Sequence, residues 1–242
     1  MKKTLLAISL MISGLILAQN QIKVEYEVQP YYNPAEKISG FEMTILNSNY
    51  ELITDSNESQ FDYIEKIRND QPSTDGVSMT MEMRSEGTLY KNLSENTVLE
   101  EVNLEEKPYL IKDELPKIEW KITRESKEVA GIQTQKATAV LDDKYKTQVT
   151  AWYAPKLNIK NGPDKFWGLP GLILELETRI EYPDGGNEGN IYKAIKVEVL
   201  DTNQTIKRPT KGKEITKIEY DKKIEERNRK MMEMFGDGVD KD

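Results

Sequence analysis

Apolar and charged residues alternate along the chain from Ile22 to Val28. Apolar side chains occupy every second position of this segment, and lysine or glutamate occupies the positions between them. Side chains of a strand point to opposite faces in turn, so the pattern predicts a strand with one buried and one solvated face. Pro30 and Pro34 then interrupt the pattern and predict the end of the strand.

Similar short runs recur through most of the chain, separated by polar turn signals. Further strands are predicted at residues 41–46, 50–54, 78–83, 88–93, 97–102, 118–122, 129–141, 146–153, 172–176 and 191–200. The polar triplet Asn47-Ser48-Asn49 predicts that the first two of these strands form a hairpin. Phe61, Ile64 and Ile67 have helical spacing, so a short helix is predicted at residues 59–68, followed by a polar loop at 69–76.

The C-terminal segment has the pattern of a helix. Thr216 and Glu219 have the spacing of a capping box, and Gly236 suits the position just past a helix end. Glu225 and Glu226 each precede a basic residue by four positions, which favours a helix. We therefore predict a helix at residues 217–235.

Together these elements predict a mainly β fold of the α+β class. We expect a curled or half-open antiparallel β-sheet or barrel of about 9–11 strands with a C-terminal helix, and a β-sandwich is the alternative. The sequence contains no internal repeat and no linker that separates two domains. We predict a signal peptide at 1–18, one antiparallel β domain at 19–206, and a basic amphipathic helix with an acidic tail at 207–242.

The signal peptide is predicted from the first eighteen residues. Lys2 and Lys3 precede an apolar run from Leu5 to Leu17, and Ala18 supplies a small residue for cleavage. The run is shorter than the about 20 apolar residues of a membrane span. We predict export without a transmembrane span after cleavage. The periplasm is the expected compartment, with secretion or outer-membrane association as alternatives.

Composition excludes several kinds of chemistry. The 242 residues include no cysteine and no histidine, and the formal net charge is −8. Disulfides, thiolate nucleophiles, imidazole bases and Cys- or His-based metal sites are therefore excluded. The negative charge argues against nucleic-acid binding, which requires a basic face. We predict no cofactor and no metal.

Two acidic groups are weaker candidates for chemistry. Glu175 and Glu177 lie two apart on one face of a predicted strand, and paired carboxylates can hydrolyse glycosides. Such a pair is more often only the solvated face of a strand. The turn from Asp184 to Gly189 offers oxygen atoms, but it lacks the alternating ligands of a calcium loop.

The segment from Trp120 to Glu175 resembles the GLPGLI family of exported Bacteroidetes envelope proteins. The resemblance rests on these residues, in this order: Trp120, Gly131, Lys136-Ala137, Ala151-Trp152-Tyr153, Gly162-Pro163, Phe166 and Gly168-Leu169-Pro170-Gly171-Leu172-Ile173. The earlier half of the chain resembles the family only in its general pattern of paired strands. The cysteine that many relatives have near Gln135 is absent. The resemblance implies an exported protein without an established biochemical activity. It also implies a link to outer-membrane receptors of the TonB-dependent type.

The GLPGLI hexapeptide predicts an unusual turn. Pro170 followed by Gly171 fits a type II turn, yet the surrounding side chains are apolar, unlike those of a solvated loop. The segment is therefore predicted either to plug the end of the curled sheet or to form the rim of a cleft. The candidate residues for binding a ligand or partner are Phe166, Trp167, Gly168, Leu169, Pro170, Gly171, Leu172, Ile173, Trp152 and Tyr153.

Trp152 and Tyr153 point to opposite faces if the strand is extended, so only one of them can enter the core. Trp120 is in phase with Ile118 and Ile122 and is predicted to be a core residue. The C-terminal helix is predicted to pack its methionines and isoleucines on the sheet, or to touch anionic lipid through its basic side.

Three functions follow as hypotheses. The leading one is a non-catalytic binding or accessory protein of the cell envelope, which holds an apolar ligand or a partner peptide. The second is a carboxylate-dependent hydrolase acting on glycans or peptides. The third is a structural assembly factor that acts through its C-terminal helix.

Overall fold

The computed structural model describes residues 21–35, 41–66, 77–82 and 87–236. The predicted signal peptide, the loop at 69–76 and the acidic tail lie outside these residues. In the described part of the chain we find fourteen strands and one helix: β1 (Ile22–Asn33), β2 (Phe41–Leu46), β3 (Ser48–Thr54), β4 (Glu58–Ile64), β5 (Val77–Glu82), β6 (Leu89–Asn92), β7 (Thr97–Leu104), β8 (Lys107–Glu114), β9 (Lys121–Val129), β10 (Ile132–Val140), β11 (Gln148–Ala154), β12 (Leu172–Glu181), β13 (Asn187–Val199), β14 (Lys213–Ile215) and α1 (Lys217–Gly236). The fold is therefore mainly β with one C-terminal helix, as predicted.

Twelve of these strands form one sheet in the order β14-β8-β7-β6-β4-β3-β1-β13-β12-β11-β10-β9. All neighbours in it are antiparallel except β14 and β8, which are parallel. Within the described residues the two edge strands, β14 and β9, do not pair with each other, so the sheet is open. Of the predicted forms the half-open sheet is the one found, and the sheet is not closed into a barrel. The expected strand number of about 9–11 was too low because β4, β8 and β14 were not predicted as strands.

The sheet curves around one core. Buried side chains from strands near both ends of the order, such as Val98 of β7 and Ala137 of β10, belong to a single apolar cluster. Register shifts occur next to Tyr26, Tyr153 and Ala137, and such bulges increase the local twist of a strand. We call the face that carries Val24 and Tyr26 the inner face.

The first strand confirms the alternation seen in the sequence. Ile22, Val24, Tyr26 and Val28 are buried, and the charged residues between them are only half-buried. Their inner-face neighbours on β3 are apolar as well, since Val24 lies opposite Leu52. The alternation therefore identifies the side chains of the central strands that face the core.

The predicted hairpin of residues 41–46 and 50–54 is wrong. β2 pairs in parallel with β5, whereas β3 lies between β1 and β4. Leu52 is fully buried beside Val24, so burial of β3 against the central strand outweighs the local turn signal.

The predicted helix at 59–68 is also wrong, because residues 58–64 form β4. Phe61 stacks on Tyr50 with 4.9 Å between the ring centroids, and it meets Tyr26 edge to face. These cross-strand aromatic contacts stabilise a strand in spite of the helical spacing of the apolar residues.

The strands predicted at 118–122 and 129–141 differ from the strands in the structure. β9 begins at Lys121, so Ile118 and Trp120 precede it, and the predicted strand 129–141 is broken by a turn at Ala130 and Gly131. Trp120 packs against the core but is only partly buried, so the prediction that it is a core residue holds only in part.

The C-terminal helix is confirmed within one residue of its predicted end. The Thr216 hydroxyl accepts a hydrogen bond from the Glu219 main-chain N–H over 3.2 Å. The Glu219 carboxylate accepts one from the Thr216 N–H over 2.8 Å. This reciprocal pair is the predicted capping box. Ile218 and Met232 are 67% and 75% exposed, so they do not pack on the sheet as predicted.

Candidate functional site

The GLPGLI hexapeptide leads directly into the buried strand β12. Leu172 and Ile173 are fully buried, Leu169 is 1% exposed and Phe166 is 7% exposed. Gly168 and Pro170 are exposed, and Trp167 is half-buried. Most apolar side chains of the segment therefore belong to the core, and the exposed positions of the segment are Gly168 and Pro170.

The turn at Pro170 is not the predicted type II turn. The N–H of Gly171 donates to the carbonyl of Leu169 over 2.8 Å, which is the bond of a γ-turn around Pro170. The N–H of Leu172, which would close a type II turn, donates instead to the Leu157 carbonyl. Glycine is needed at position 171 because a Cβ atom would lie 2.3 Å from the Ala154 carbonyl oxygen.

A buried lysine holds the segment that precedes the hexapeptide. Lys91 is 0% exposed, and its Nζ atom donates to the main-chain carbonyls of Gly162, Asp164 and Phe166 over 2.7, 2.5 and 3.2 Å. The three bonds use all three donors of the ammonium group. Burial lowers the pKa of Lys91 to about 7, and the Asp164 carboxylate acts in the opposite direction.

Lys91 was not predicted as a site residue, although the sequence contains a signal for it. Leu89, Lys91 and Leu93 have the same phase in the β-like run, which places a lysine on the apolar face. Lys91 lies opposite Ser59 of β4, and Thr54 of β3 continues this row. The Asn161 amide donates to the Thr54 hydroxyl over 3.0 Å, so the preceding segment is bound to this polar row at a second point.

Two indole groups connect the same segment to residues 116–120. Trp120 Nε1 donates to the Trp167 carbonyl over 2.9 Å, and Trp167 Nε1 donates to the Pro116 carbonyl over 2.9 Å. Tyr26 adds a buried bond from its hydroxyl to the Ile173 carbonyl. The segment from Asn161 to Ile173 is therefore bound to the sheet on several sides.

Trp152 and Tyr153 occupy opposite faces, as the alternation predicted. Tyr153 is buried, and its hydroxyl donates to Gln135 Oε1 over 3.0 Å. Trp152 is half-buried on the outer face, where the Lys127 ammonium lies 4.4 Å from the ring centroid. The same ammonium forms an ion pair with Glu175, so a cation–π contact and a salt bridge cover the indole together.

The acidic candidates do not converge on a cavity. Glu175 and Glu177 point away from the inner face that carries Leu174 and Leu176, and Glu175 is paired with Lys127 over 2.5 Å. In the turn from Asp184 to Gly189, Asp184 Oδ1 accepts a bond from the Gly186 N–H. Among the residues that the structure describes, no group of three or more acidic side chains could hold a metal ion.

An open groove lies on the sheet at the C-terminal ends of β1 and β12 and the N-terminal end of β13. We call it the Tyr32 groove. Its volume is about 260 Å³, and it is lined by Pro30, Tyr31, Tyr32, Ile45, Met81, Thr178, Ile180, Glu188, Gly189 and Asn190. Tyr32 lies opposite Glu188, and Glu188 lies opposite Ile180. Tyr32 is 44% exposed and Met81 is 36% exposed, so apolar surface is open to solvent here.

The groove was not predicted from the sequence. The segment from Pro30 to Pro34 was interpreted as a break, although its Tyr31-Tyr32 pair continues the strand to Asn33. Ile45 and Met81 come from the small sheet of β2 and β5, so the groove is assembled from five strands. Two adjacent aromatic residues between prolines are the local signal that was available.

A second aromatic pair lies beside the groove. Tyr145 and Tyr182 meet edge to face with 6.3 Å between their ring centroids. Interaction with the nearby Glu188 carboxylate raises the pKa of Tyr182 to about 12, and burial, Tyr145 and Tyr32 raise it further. The groove and the tyrosine pair therefore share Glu188.

No helix in the described residues combines the length and apolar character needed to span a membrane.

Comparison with known proteins gives a family match and a structural likeness. Residues 141–175 match the model of a Bacteroidetes-type family described as a protein of unknown function (Porph_ging). This short segment includes Trp152, Tyr153 and the whole hexapeptide. No curated protein matches the sequence.

The structural likeness is to PNGF-II, which was solved in the C2 and P21 space groups. Both structures give a TM-score of 0.53 at 17% identity and cover 84% and 85% of this chain. The chain spans about a third of PNGF-II, with 32% and 33% of that protein covered. A structure of MucB in complex with MucA(peri) gives a TM-score of 0.38 at 8% identity, over 82% of this chain and 57% of that one. The likeness to PNGF-II concerns the fold alone.

Proposed function

We propose that this chain is a non-catalytic binding protein of the cell envelope that holds an apolar side chain of an extended partner peptide in the Tyr32 groove. The observation that carries the proposal is an open apolar groove on the inner face, outside the packed core. Binding sites are typically concave and apolar with a few polar groups that orient the ligand. This groove has that composition, with Thr178, Glu188 and Asn190 among its lining residues.

The size of the groove favours a peptide side chain over a lipid. Sites for drug-sized ligands occupy roughly 300–1,000 Å³, whereas the Tyr32 groove has a volume of about 260 Å³. A space of this size suits a single large aliphatic or aromatic side chain. Main-chain groups of an extended peptide would then lie along Thr178 and Asn190 at the edge.

The GLPGLI residues have an indirect part in this proposal. Their apolar side chains are buried, so in this conformation an external ligand meets mainly Trp167, Gly168 and Pro170. The hexapeptide leads into β12, which carries Thr178 and Ile180 to the groove. Direct binding by Phe166, Trp167 and the hexapeptide stays a prediction, as does the link to a TonB-dependent receptor.

The hydrolase hypothesis receives less support from the geometry. Glu175 is paired with a lysine on the outer face, whereas glycoside hydrolysis needs two carboxylates that face one sugar site. Recruitment through α1 also stays a prediction, and its test needs care. Truncation after Pro209 would remove β14 as well, so a double substitution of Ile218 and Met232 by serine is the cleaner variant.

A random heptapeptide library displayed on beads tests the proposal. We expect the purified chain to enrich peptides with one large apolar residue. Ile180→Lys places a charge in the groove and should weaken binding of the enriched peptides at least about tenfold. Val140→Lys is the matched control, because Val140 is a 61% exposed apolar residue on β10, away from the groove.

Two results would overturn the proposal. One is the absence of any enriched peptide class, and the other is equal binding by the Ile180→Lys variant and the native chain. Near-ultraviolet circular dichroism of both variants checks whether the fold is retained.

A further inference from the structure

Glu188 is the charged residue among those that line the Tyr32 groove. The Tyr182 side chain lies close enough to this carboxylate that Glu188 raises the pKa of the tyrosine. Within the described ranges it has no basic partner, whereas nearby Arg179 is paired with Glu181 and Lys146 with Asp142. Among the residues that the structure describes, this largely apolar groove therefore contains one carboxylate without a basic partner.

Aromatic rings lie beside this carboxylate. Tyr32 lies opposite Glu188 in the strand register, Glu188 is close enough to Tyr182 to raise its pKa, and Tyr145 stands edge to face against Tyr182. Rings of this kind attract cations at their faces, and a carboxylate beside them adds direct Coulomb attraction. The Lys144 ammonium already lies 5.3 Å from the Tyr145 ring centroid, so one of these rings holds a cation in the structure.

From this arrangement we infer that the partner peptide carries a lysine or arginine next to its apolar side chain, and that Glu188 with the surrounding tyrosines binds this basic group. The inference rests on the proposed function and specifies the chemistry of its ligand. The apolar part of the groove takes the apolar side chain, and the Glu188 corner takes the cation one or two residues away. Charge complementarity also agrees with the net charge of −8 of the whole chain.

An incoming cation must compete with the Lys144 ammonium, which already lies at the Tyr145 ring. The Lys144 ammonium lies over the Tyr145 ring, and Lys144 is on the loop between β10 and β11. An incoming lysine or arginine competes with Lys144 for the same ring. Substitution of Lys144 by alanine should therefore strengthen binding of a basic peptide instead of weakening it.

Two variants separate the charge from the shape of the site. Glu188→Gln removes the charge and retains the size, and Tyr182→Phe removes a hydroxyl close to the carboxylate. For library peptides that contain a basic residue, we expect Glu188→Gln to weaken binding roughly 3- to 10-fold and to abolish its salt dependence. Tyr182→Phe should give a smaller loss, and Lys144→Ala a gain.

A small probe tests the proposed cation site at Glu188 without any peptide. Titration of N-acetyl-arginine amide into the native chain, followed by nuclear magnetic resonance of the tyrosine rings, should shift the Tyr182 and Tyr145 signals. The shifts should be lost in Glu188→Gln and kept in Glu181→Gln, which alters a neighbouring carboxylate outside the groove. N-acetyl-norleucine amide, an uncharged probe of similar length, should leave these two signals unchanged.

The outcomes distinguish the two proposals. If enriched peptides share an apolar residue without a basic neighbour, and N-acetyl-arginine amide shifts neither tyrosine, the cation site is overturned and the apolar groove stands. If no peptide class is enriched while the arginine probe binds through Glu188, the peptide proposal fails and the cation site stands. Equal affinity of basic peptides for the native chain and Glu188→Gln also overturns the cation site.

Discussion

The ammonium of Lys91 donates to the main-chain carbonyl of Gly162 over 2.7 Å, although 71 residues separate the two in the chain. The same group also binds the carbonyls of Asp164 and Phe166. A charged group without exposure is costly unless its donors are all satisfied, and here the polar backbone of a tight loop satisfies them. The lysine and the segment before the GLPGLI hexapeptide therefore depend on each other for burial.

Replacement of Lys91 by methionine should destabilise the protein by about 2–4 kcal/mol. Each buried carbonyl left without a partner costs about 1–3 kcal/mol, and part of that cost is offset because no charge remains to be buried. Urea unfolding followed by tryptophan fluorescence measures the difference. Lys112→Met on β8 is the control, since the side chain of Lys112 is 54% exposed. A variant as stable as the native chain would show that the buried ammonium makes no net contribution.

The stability contributed by Lys91 should depend on pH. Burial lowers the pKa of Lys91 to about 7, whereas an unfolded lysine has a pKa of about 10.4. Between these values the unfolded chain binds more protons than the folded chain, so the free energy of unfolding rises with pH. Relative to Lys91→Met, the native chain should gain up to about 1.4 kcal/mol per pH unit between about pH 7 and 9.

Urea unfolding at three pH values in this window checks the difference, and a constant gap between the two proteins would contradict the prediction. The window ends near pH 9 because an unfolded lysine has a pKa of about 10.4 and begins to lose its proton above this pH, so the gain per pH unit falls. Tyr26 and Tyr192, whose pKa values burial raises, are present in both proteins and cancel in the difference.

Gly171→Ala should be the more damaging of two glycine substitutions. A Cβ atom at this position would lie 2.3 Å from the Ala154 carbonyl oxygen, so the backbone must shift. We expect a loss of at least about 3 kcal/mol. Gly185→Ala is the matched control, because φ at Gly185 is +93° but no atom lies within 4 Å of its Cβ position. That change should cost about 1 kcal/mol from backbone strain alone. Thermal unfolding compares the two, and equal losses would mean that the loop relaxes around the new methyl group.

Trp120 and Trp167 should show coupled energies. Trp120→Phe removes the donor to the Trp167 carbonyl, and Trp167→Phe removes the donor to the Pro116 carbonyl. Each change should cost about 0.5–1.5 kcal/mol. Both bonds join the same two segments, so the double variant should lose less than the sum by at least about 0.5 kcal/mol. A double-mutant cycle with urea unfolding measures the coupling, and strict additivity would contradict a shared anchoring role.

Several local patterns in the sequence predicted the structure correctly. The alternation from Ile22 to Val28 and the capping box of Thr216 and Glu219 were both confirmed, because each depends on residues only two or three positions apart. The opposite faces of Trp152 and Tyr153 were predicted for the same reason. Interactions of this range follow from the geometry of the element itself.

Tertiary structure decided the partners of the strands. The helical spacing of Phe61 and Ile64 was outweighed by the stacking of Phe61 on Tyr50, and β2 left its expected hairpin partner to pair with β5. Such outcomes depend on which distant strands share the core, and a short segment carries little information about them.

The sequence by itself determined a mainly β chain with a capped C-terminal helix and an apolar, glycine-containing bend before β12. Only the tertiary structure decided that this bend is buried against Lys91 and that Tyr32, Ile180 and Glu188 meet in one groove. The physical reason is that spacing along the chain sets the shape of each element. Burial of a charge or assembly of a groove requires contacts between residues far apart in sequence, whose entropic cost is met only when the whole sheet folds.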